Sequence, residues 1–136
     1  MRLEGKVAMV TGSGSGLGKA MIMRIAREGA AVVVNDINVE GMNEVVGEIR
    51  KEGGKAISCR AGVSNRSEVQ ALMETAVEKF GQIHIVVNNA GVTRHRPFLE
   101  MTEEDWDIVL AVDLKGVFNC TQVISFGNGR FSPSWR

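Results

Sequence analysis

The spacing of apolar residues in this 136-residue chain predicts an α/β fold, an open parallel sheet with helices on both faces. Three observations carry that expectation. Short apolar runs alternate four times with stretches of helical period. The runs are apolar at successive positions, as in strands covered on both faces. A glycine cluster stands between the first run and the first helix.

Each element follows in order. Lys6–Thr11 is a short apolar run that ends in the glycine cluster and reads as a buried strand. From Gly16 to Glu28 the residues Leu17, Ala20, Met21, Ile25 and Ala26 recur at helical spacing, and Gly29 closes the helix. Ala31–Asn35 is a second strand, β-branched and apolar on both faces. Val39, Met42, Val45, Val46 and Ile49 mark a second helix, ended at Gly53-Gly54, and Lys55–Cys59 is a weaker third strand. Asn65 with Glu68 is a helix-start signal, backed by the stripe Val69, Leu72, Met73, Ala76, Val77 and Phe80. Ile83–Asn88 is the fourth strand, and His84 within it reads as a satisfied core histidine. Thr102 with Asp105 opens the last helix, whose stripe is Trp106, Val109, Leu110, Val117, Phe118 and Thr121; its period stops near Ser125.

Composition excludes several classes of function. Sixteen basic and sixteen acidic side chains cancel, which argues against binding nucleic acid or an anionic membrane. No uninterrupted apolar segment approaches the roughly 20 residues of a membrane helix, and no signal peptide is legible, so a cytoplasmic location is expected. Cys59 and Cys120 lack metal-ligand spacing and read as reduced, buried thiols; no metal site is expected. Sixteen glycines, with only two prolines, imply backbone that must come close to something. Tyrosine is absent, which removes any mechanism needing a phenol.

The cluster Gly12, Ser13, Gly14, Ser15, Gly16, Leu17 and Gly18 lies where an open α/β sheet holds a pyrophosphate against a helix N-terminus. Backbone N–H groups there have no intrahelical partner, and any Cβ would hold phosphates away from them. The second strand leads into Asp36 and Ile37, and an acidic residue about 20 positions beyond the loop is the expected partner of an adenosine ribose. A carboxylate there favours NAD over NADP, since it would repel a 2′-phosphate, and Ser15 offers that phosphate no basic side chain.

At this point the chain resembles the short-chain dehydrogenase/reductase family. Gly12, Gly16 and Gly18 match its Thr-Gly-x-x-x-Gly-x-Gly fingerprint, Asn88-Asn89-Ala90-Gly91 its second signature, and Trp106–Phe118 its long interface helix. The resemblance covers residues 3–124 and implies a Rossmann-like sheet in which the first and fourth strands flank the cofactor crevice. Asn89, Ala90 and Gly91 would then shape the wall beside the adenosine ribose. A homo-oligomer through the 106–121 helix is implied, with a small alcohol or ketone as substrate of the complete enzyme.

Three departures qualify the likeness. Gly62 stands where the family has an acidic residue at the adenine edge, although the backbone of Val63 is still placed to line the ring. Asp113 replaces the asparagine that holds a water in the family's proton relay. On the apolar stripe such a carboxylate is expected to have a raised pKa or a hydrogen-bonded partner, and it keeps the acceptor role. The family's serine and Tyr-x-x-x-Lys pair have no counterpart, and Ser125–Arg136 shows neither strand nor helix period.

The expected organisation is an incomplete dinucleotide-binding domain over 1–124, truncated after the fourth strand and interface helix, and a divergent tail over 125–136. Truncation, altered splicing or a shifted frame would each produce such a tail. The function expected is NAD binding without hydride transfer by this chain alone. The alternatives are a non-catalytic module pairing with a full-length homologue and, more remotely, an S-adenosylmethionine site, which would lack Asn88-Asn89-Ala90-Gly91. Arg94-His95-Arg96 reads either as a solvated loop or as the start of a substrate contact.

Overall fold

A computed structural model describes residues 1–127. Four parallel strands, β1 (Val7–Val10), β2 (Ala31–Asp36), β3 (Ala56–Arg60) and β4 (Ile85–Val87), lie in the order β3-β2-β1-β4. Between them run α1 (Gly16–Arg27), α2 (Val39–Lys51) and α3 (Arg66–Phe80). After β4 come a 3-10 turn (Phe98–Glu100), α4 (Glu103–Val109), a π-helical turn (Leu110–Lys115) and α5 (Gly116–Gly127). The order reverses at β1, where β2 and β4 flank it, and that is where an open α/β sheet forms a crevice.

Successive side chains on a strand face opposite ways, so each strand feeds two cores. Ala8, Val10, Val32 and Val34 pack with Ile22, Met23, Ala26, Met42, Val45, Val46 and Ile49 of α1 and α2. Met9 and Val33 pack on the other face with Val69, Leu72, Met73 and Ala76 of α3 and Cys120, Val123 and Ile124 of α5. Each fully buried valine contributes roughly 1.5–3 kcal/mol, which explains why the central strands are apolar throughout.

Caps stand where the spacing put them. The Asn65 side chain accepts from the Glu68 N–H at 3.2 Å, and Thr102 and Asp105 cap each other reciprocally. That N–H of Thr102 holds the Asp105 carboxyl below its ordinary range, and Arg96 pairs with it at 2.8 Å. His84 is satisfied: its Nδ1 accepts from the Val7 N–H at 2.9 Å. Cys120 is buried, and burial pushes its thiol up to about 11; Cys59 is only half-buried, which corrects the expectation for it.

Two helical stripes differ from expectation. In α1 the buried face is Gly18, Ile22, Met23 and Ala26, while Leu17 is 71% exposed and Ala20 is exposed too. The cause is Gly18, which packs directly on the glycine loop and turns its neighbour outward. Along the last helix, Trp106 and Phe118 are 57% and 54% exposed, and the buried side is Gly116, Asn119, Cys120, Val123 and Ile124. The π turn shifts the helical phase between α4 and α5, so one stripe cannot run through both.

Helix persists to Gly127, past the expected boundary at 124; the rest of the 125–136 tail lies outside the described residues. Counted as one helix, Glu103–Gly127 contains an 18-residue stretch of mean hydropathy 1.3 and is long and apolar enough to cross a membrane by length and composition, contrary to expectation. It nonetheless carries Asp113 and Lys115 mid-way and packs into a core through Cys120, Val123 and Ile124.

Candidate dinucleotide site

Above the carboxyl ends of β1, β2 and β4 lies a cleft of about 540 Å³. Its walls come from the glycine loop (Gly12, Ser15), the end of β2 (Asn35, Asp36, Ile37), the β3–α3 loop (Ala61, Gly62, Val63, Ser64) and the segment after β4 (Asn89, Ala90, Gly91, Val92). Arg94, Ile108 and Val112 close one side. A comparable cavity lies at the opposite ends of the strands, among Glu4, Lys6, Arg27 and Glu52, away from these residues.

The glycine loop is held from β4. Thr11 Oγ1 accepts from the N–H groups of Asn89 and Ala90, both at 2.9 Å. Asn89 Nδ2 donates to Thr11 O at 3.0 Å and Gly12 O at 3.2 Å. Asn89 therefore shapes the wall by fixing the loop opposite, not by capping a helix. Asn88 reaches the other way, to Thr121 Oγ1 at 3.2 Å.

The glycines are required for reasons that differ from position to position. A Cβ at Gly18 would lie 2.2 Å from Gly12 O, and one at Gly12 would lie 2.9 Å from Ala90 Cα. A Cβ at Gly14 would lie 3.0 Å from the Asp36 carboxylate. Only Gly16, with φ +56, opens on free space. Three of the four thus serve close approach of protein to protein, and the expectation that each one clears room for phosphate is corrected.

Ser13 and Gly14, expected at the cofactor, are buried instead. Ser13 Oγ donates to Val10 O at 2.7 Å, and its N–H donates to Asn35 O at 2.8 Å. Gly14 N–H donates to Asp36 Oδ2 at 3.0 Å. What remains for an anion is the start of α1: no side chain caps it, and its first turn holds no acidic residue. The N–H groups of Gly16, Leu17 and Gly18 there have no helical partner, and the helix dipole adds positive potential.

Asp36 accepts three backbone N–H groups. Oδ1 takes those of Ile37 at 2.8 Å and Asn38 at 3.2 Å, and Oδ2 takes that of Gly14. A carboxylate has about four acceptor positions, so one is left for a ribose hydroxyl. Asp113 is exposed on the π turn and lies behind the cleft. Its Oδ1 accepts the Val92 N–H at 2.8 Å, so it has the expected hydrogen-bonded partner.

Sequence reasoning missed Asn35, although a polar residue ending an apolar strand was a visible signal. It is fully buried, its Nδ2 donates to Cys59 O and Ala61 O, and its Oδ1 has no protein partner. Among the described residues no group of His, Cys, Asp and Glu is placed to hold a metal ion.

The family whose model matches residues 6–126 is described as short chain dehydrogenase. The 3-oxoacyl-(acyl-carrier-protein) reductase of Thermotoga maritima is 45% identical over 124 residues, which are 91% of this chain and 50% of that protein. A solved 7α-hydroxysteroid dehydrogenase, complexed with NADH and 7-oxo glycochenodeoxycholic acid, superposes with a TM-score of 0.88 at 38% identity, over 93% of this chain and 49% of the other. A short chain dehydrogenase/reductase of Burkholderia phymatum in complex with NAD gives a TM-score of 0.88 at 36% identity, over 92% and 44%. The chain spans about half the length of the curated relatives it matches.

Proposed function

The chain belongs to the short-chain dehydrogenase family, and from that premise we propose that it is the NAD(H)-binding portion of an oxidoreductase acting on an alcohol or ketone. The observation that carries this is the pairing, across one cleft, of an uncapped helix start free of acidic residues with the Asp36 carboxylate. The N–H groups of Gly16, Leu17 and Gly18 would hold the pyrophosphate, and Asp36 the adenosine ribose. Ile37, Gly62 and Val63 would bound the base, while Ala90 and Gly91 would bound the sugar. The unpaired Oδ1 of Asn35, on the wall of the cleft, fits a ligand with polar groups. Bound there, a nicotinamide dinucleotide would supply hydride transfer. Asp113 holds the Val92 N–H and so fixes the segment that leads toward the reacting end.

The proton-transfer residues that the family resemblance implies are missing from this sequence, which has no tyrosine. Calorimetric titration of the pure chain is therefore expected to show one NAD site per chain, and absorbance at the reduced-nicotinamide band to show no turnover of secondary alcohols. No heat on adding NAD would remove the cofactor reading. Turnover by the pure chain would remove the role given to the missing phenol.

We also propose that the chain forms a homo-oligomer in solution. Leu114, Val117, Phe118 and Phe126 are exposed along α5 and its approach, and among the described residues β4 pairs only with β1, leaving an open edge. Light scattering is expected to give a mass that rises with concentration, and a concentration-independent monomer would contradict this.

A further inference from the structure

Asp36 ends β2, and both its side chain and its main chain are held. The carboxylate takes the N–H groups of Gly14, Ile37 and Asn38, and the C=O takes the Ala61 N–H at 3.3 Å. All four donors are backbone groups, which a change of side chain does not remove. The Asp36 N–H, by contrast, donates to a side chain, the sulfur of Met42, at 3.0 Å. Among the described residues Met42 is the side chain that bonds to Asp36.

Met42 lies in the first turns of α2, is 1% exposed, and packs with Val34, Val45 and Val46 in an aliphatic core. Leucine would fill the same place about as well, but it has no acceptor. A thioether is a weak acceptor, yet a buried N–H deprived of its partner is more costly than the bond is favourable. Packing therefore does not call for sulfur at this position, whereas the Asp36 N–H does. Gly41 lets α2 come close enough, since a Cβ there would lie 2.7 Å from Gly14 O. Glycine weakens a helix, and this close approach accounts for its presence. Asn38 caps the same turn by accepting the Gly41 N–H at 3.1 Å. The start of α2 is thus pressed on the glycine loop on one side and fastened to Asp36 on the other.

We propose that Met42 is a positioning residue: its thioether pins the main chain at the root of the Asp36 side chain, so that α2 sets how sharply the cleft separates NAD from NADP. The inference rests on the dinucleotide reading of the cleft. Met42 does not line the cleft, so its influence on a ligand passes through Asp36. A carboxylate already fixed in place loses no freedom when a ribose arrives. One that could swing away would also retreat from a 2′-phosphate, and the repulsion falls with distance.

The test is a double-mutant cycle, read by calorimetric titration of the whole chain with NAD and with NADP. Met42→Leu is expected to bind NAD about fivefold more weakly, the scale of one hydrogen bond, and to change NADP binding less. In an Asp36→Ala background the same substitution is expected to alter NAD binding by less than about 1.5-fold. A merely structural Met42 would weaken both ligands alike, and would do so with or without the carboxylate. Should Met42→Leu not fold, methyl NMR of wild type decides. The Met42 methyl signal is expected to move on adding NAD, and to move much less when Asp36→Ala is saturated with it. An equal loss in both backgrounds, a folded Met42→Leu with wild-type affinity for NAD, or an unmoved methyl in wild type would overturn the proposal. A wild type that binds neither dinucleotide would instead strike the cofactor reading, and this inference with it. One that binds both equally would strike the preference for NAD, and the cycle on NAD alone would still decide the part played by Met42.

Discussion

Gly18→Ala is expected to lower stability by about 3 kcal/mol and to abolish measurable NAD binding. The added methyl would lie 2.2 Å from Gly12 O, 2.9 Å from Gly12 C and 2.6 Å from Asn89 Nδ2. Two of those atoms are backbone and cannot rotate away. Relief requires either that α1 lift from the sheet or that the glycine loop move off its anchor, the hydrogen bonds from Asn89 to Thr11 O and Gly12 O. The first opens the core around Ile22 and Met23, and the second displaces the loop that leads to the helix start. Two other glycines make the comparison informative. Gly47, inside α2, has nothing within 4 Å of its added Cβ, and Gly47→Ala is expected to stabilise by about 0.5–1 kcal/mol through helix propensity. Gly16 has equal room but φ +56, so Gly16→Ala is expected to cost about 1 kcal/mol of backbone strain. Urea unfolding of the three variants checks the order, and a Gly18→Ala protein as stable as wild type would refute the packing role.

That order could not be read from the motif. A glycine fingerprint marks where the backbone comes close, and its spacing predicted the strand, the turn and the helix correctly. It does not say whether the neighbour is a ligand or the protein itself, because both demand the same missing Cβ. Gly12, Gly14 and Gly18 meet Ala90, Asp36 and Gly12 O, contacts between residues as much as 78 positions apart that no local pattern encodes. The strands were legible for a simpler reason: burial on both faces leaves only apolar residues, and Val7–Val10 and Val32–Val34 are all buried. The long helix was legible in extent but not in phase, since the π turn at Leu110–Lys115 changes its period without any glycine or proline inside it. Asn35 and Asn119 escaped notice because a single polar residue in an apolar run carries no spacing; only the carbonyls they reach show what they do.

Asp36→Ala is expected to erase most of a preference for NAD over NADP. At about 4 Å and an effective dielectric of 20, a carboxylate repels a 2′-phosphate charge by roughly 4 kcal/mol. Asp36 is partly exposed, and solvent screening reduces this to about 2 kcal/mol, still roughly a thirtyfold preference. Neutral Ser15 offers the phosphate no compensation. Alanine also removes the acceptor for the N–H groups of Gly14, Ile37 and Asn38, so NAD itself is expected to bind about tenfold more weakly as the ribose wall loosens. NADP, relieved of the repulsion, is expected to gain, and the two ligands should come within about threefold of each other. Raising the salt separates the two effects: the charge repulsion shrinks with ionic strength, and the loss of loop anchors does not. Calorimetric titration of both dinucleotides at low and high salt is the measurement. A wild type that holds NADP as tightly as NAD would sink the cofactor preference. An Asp36→Ala variant with an unchanged ratio would show that the three N–H groups, by spending three of the carboxylate's acceptor positions, leave Asp36 a structural anchor of the glycine loop and nothing more.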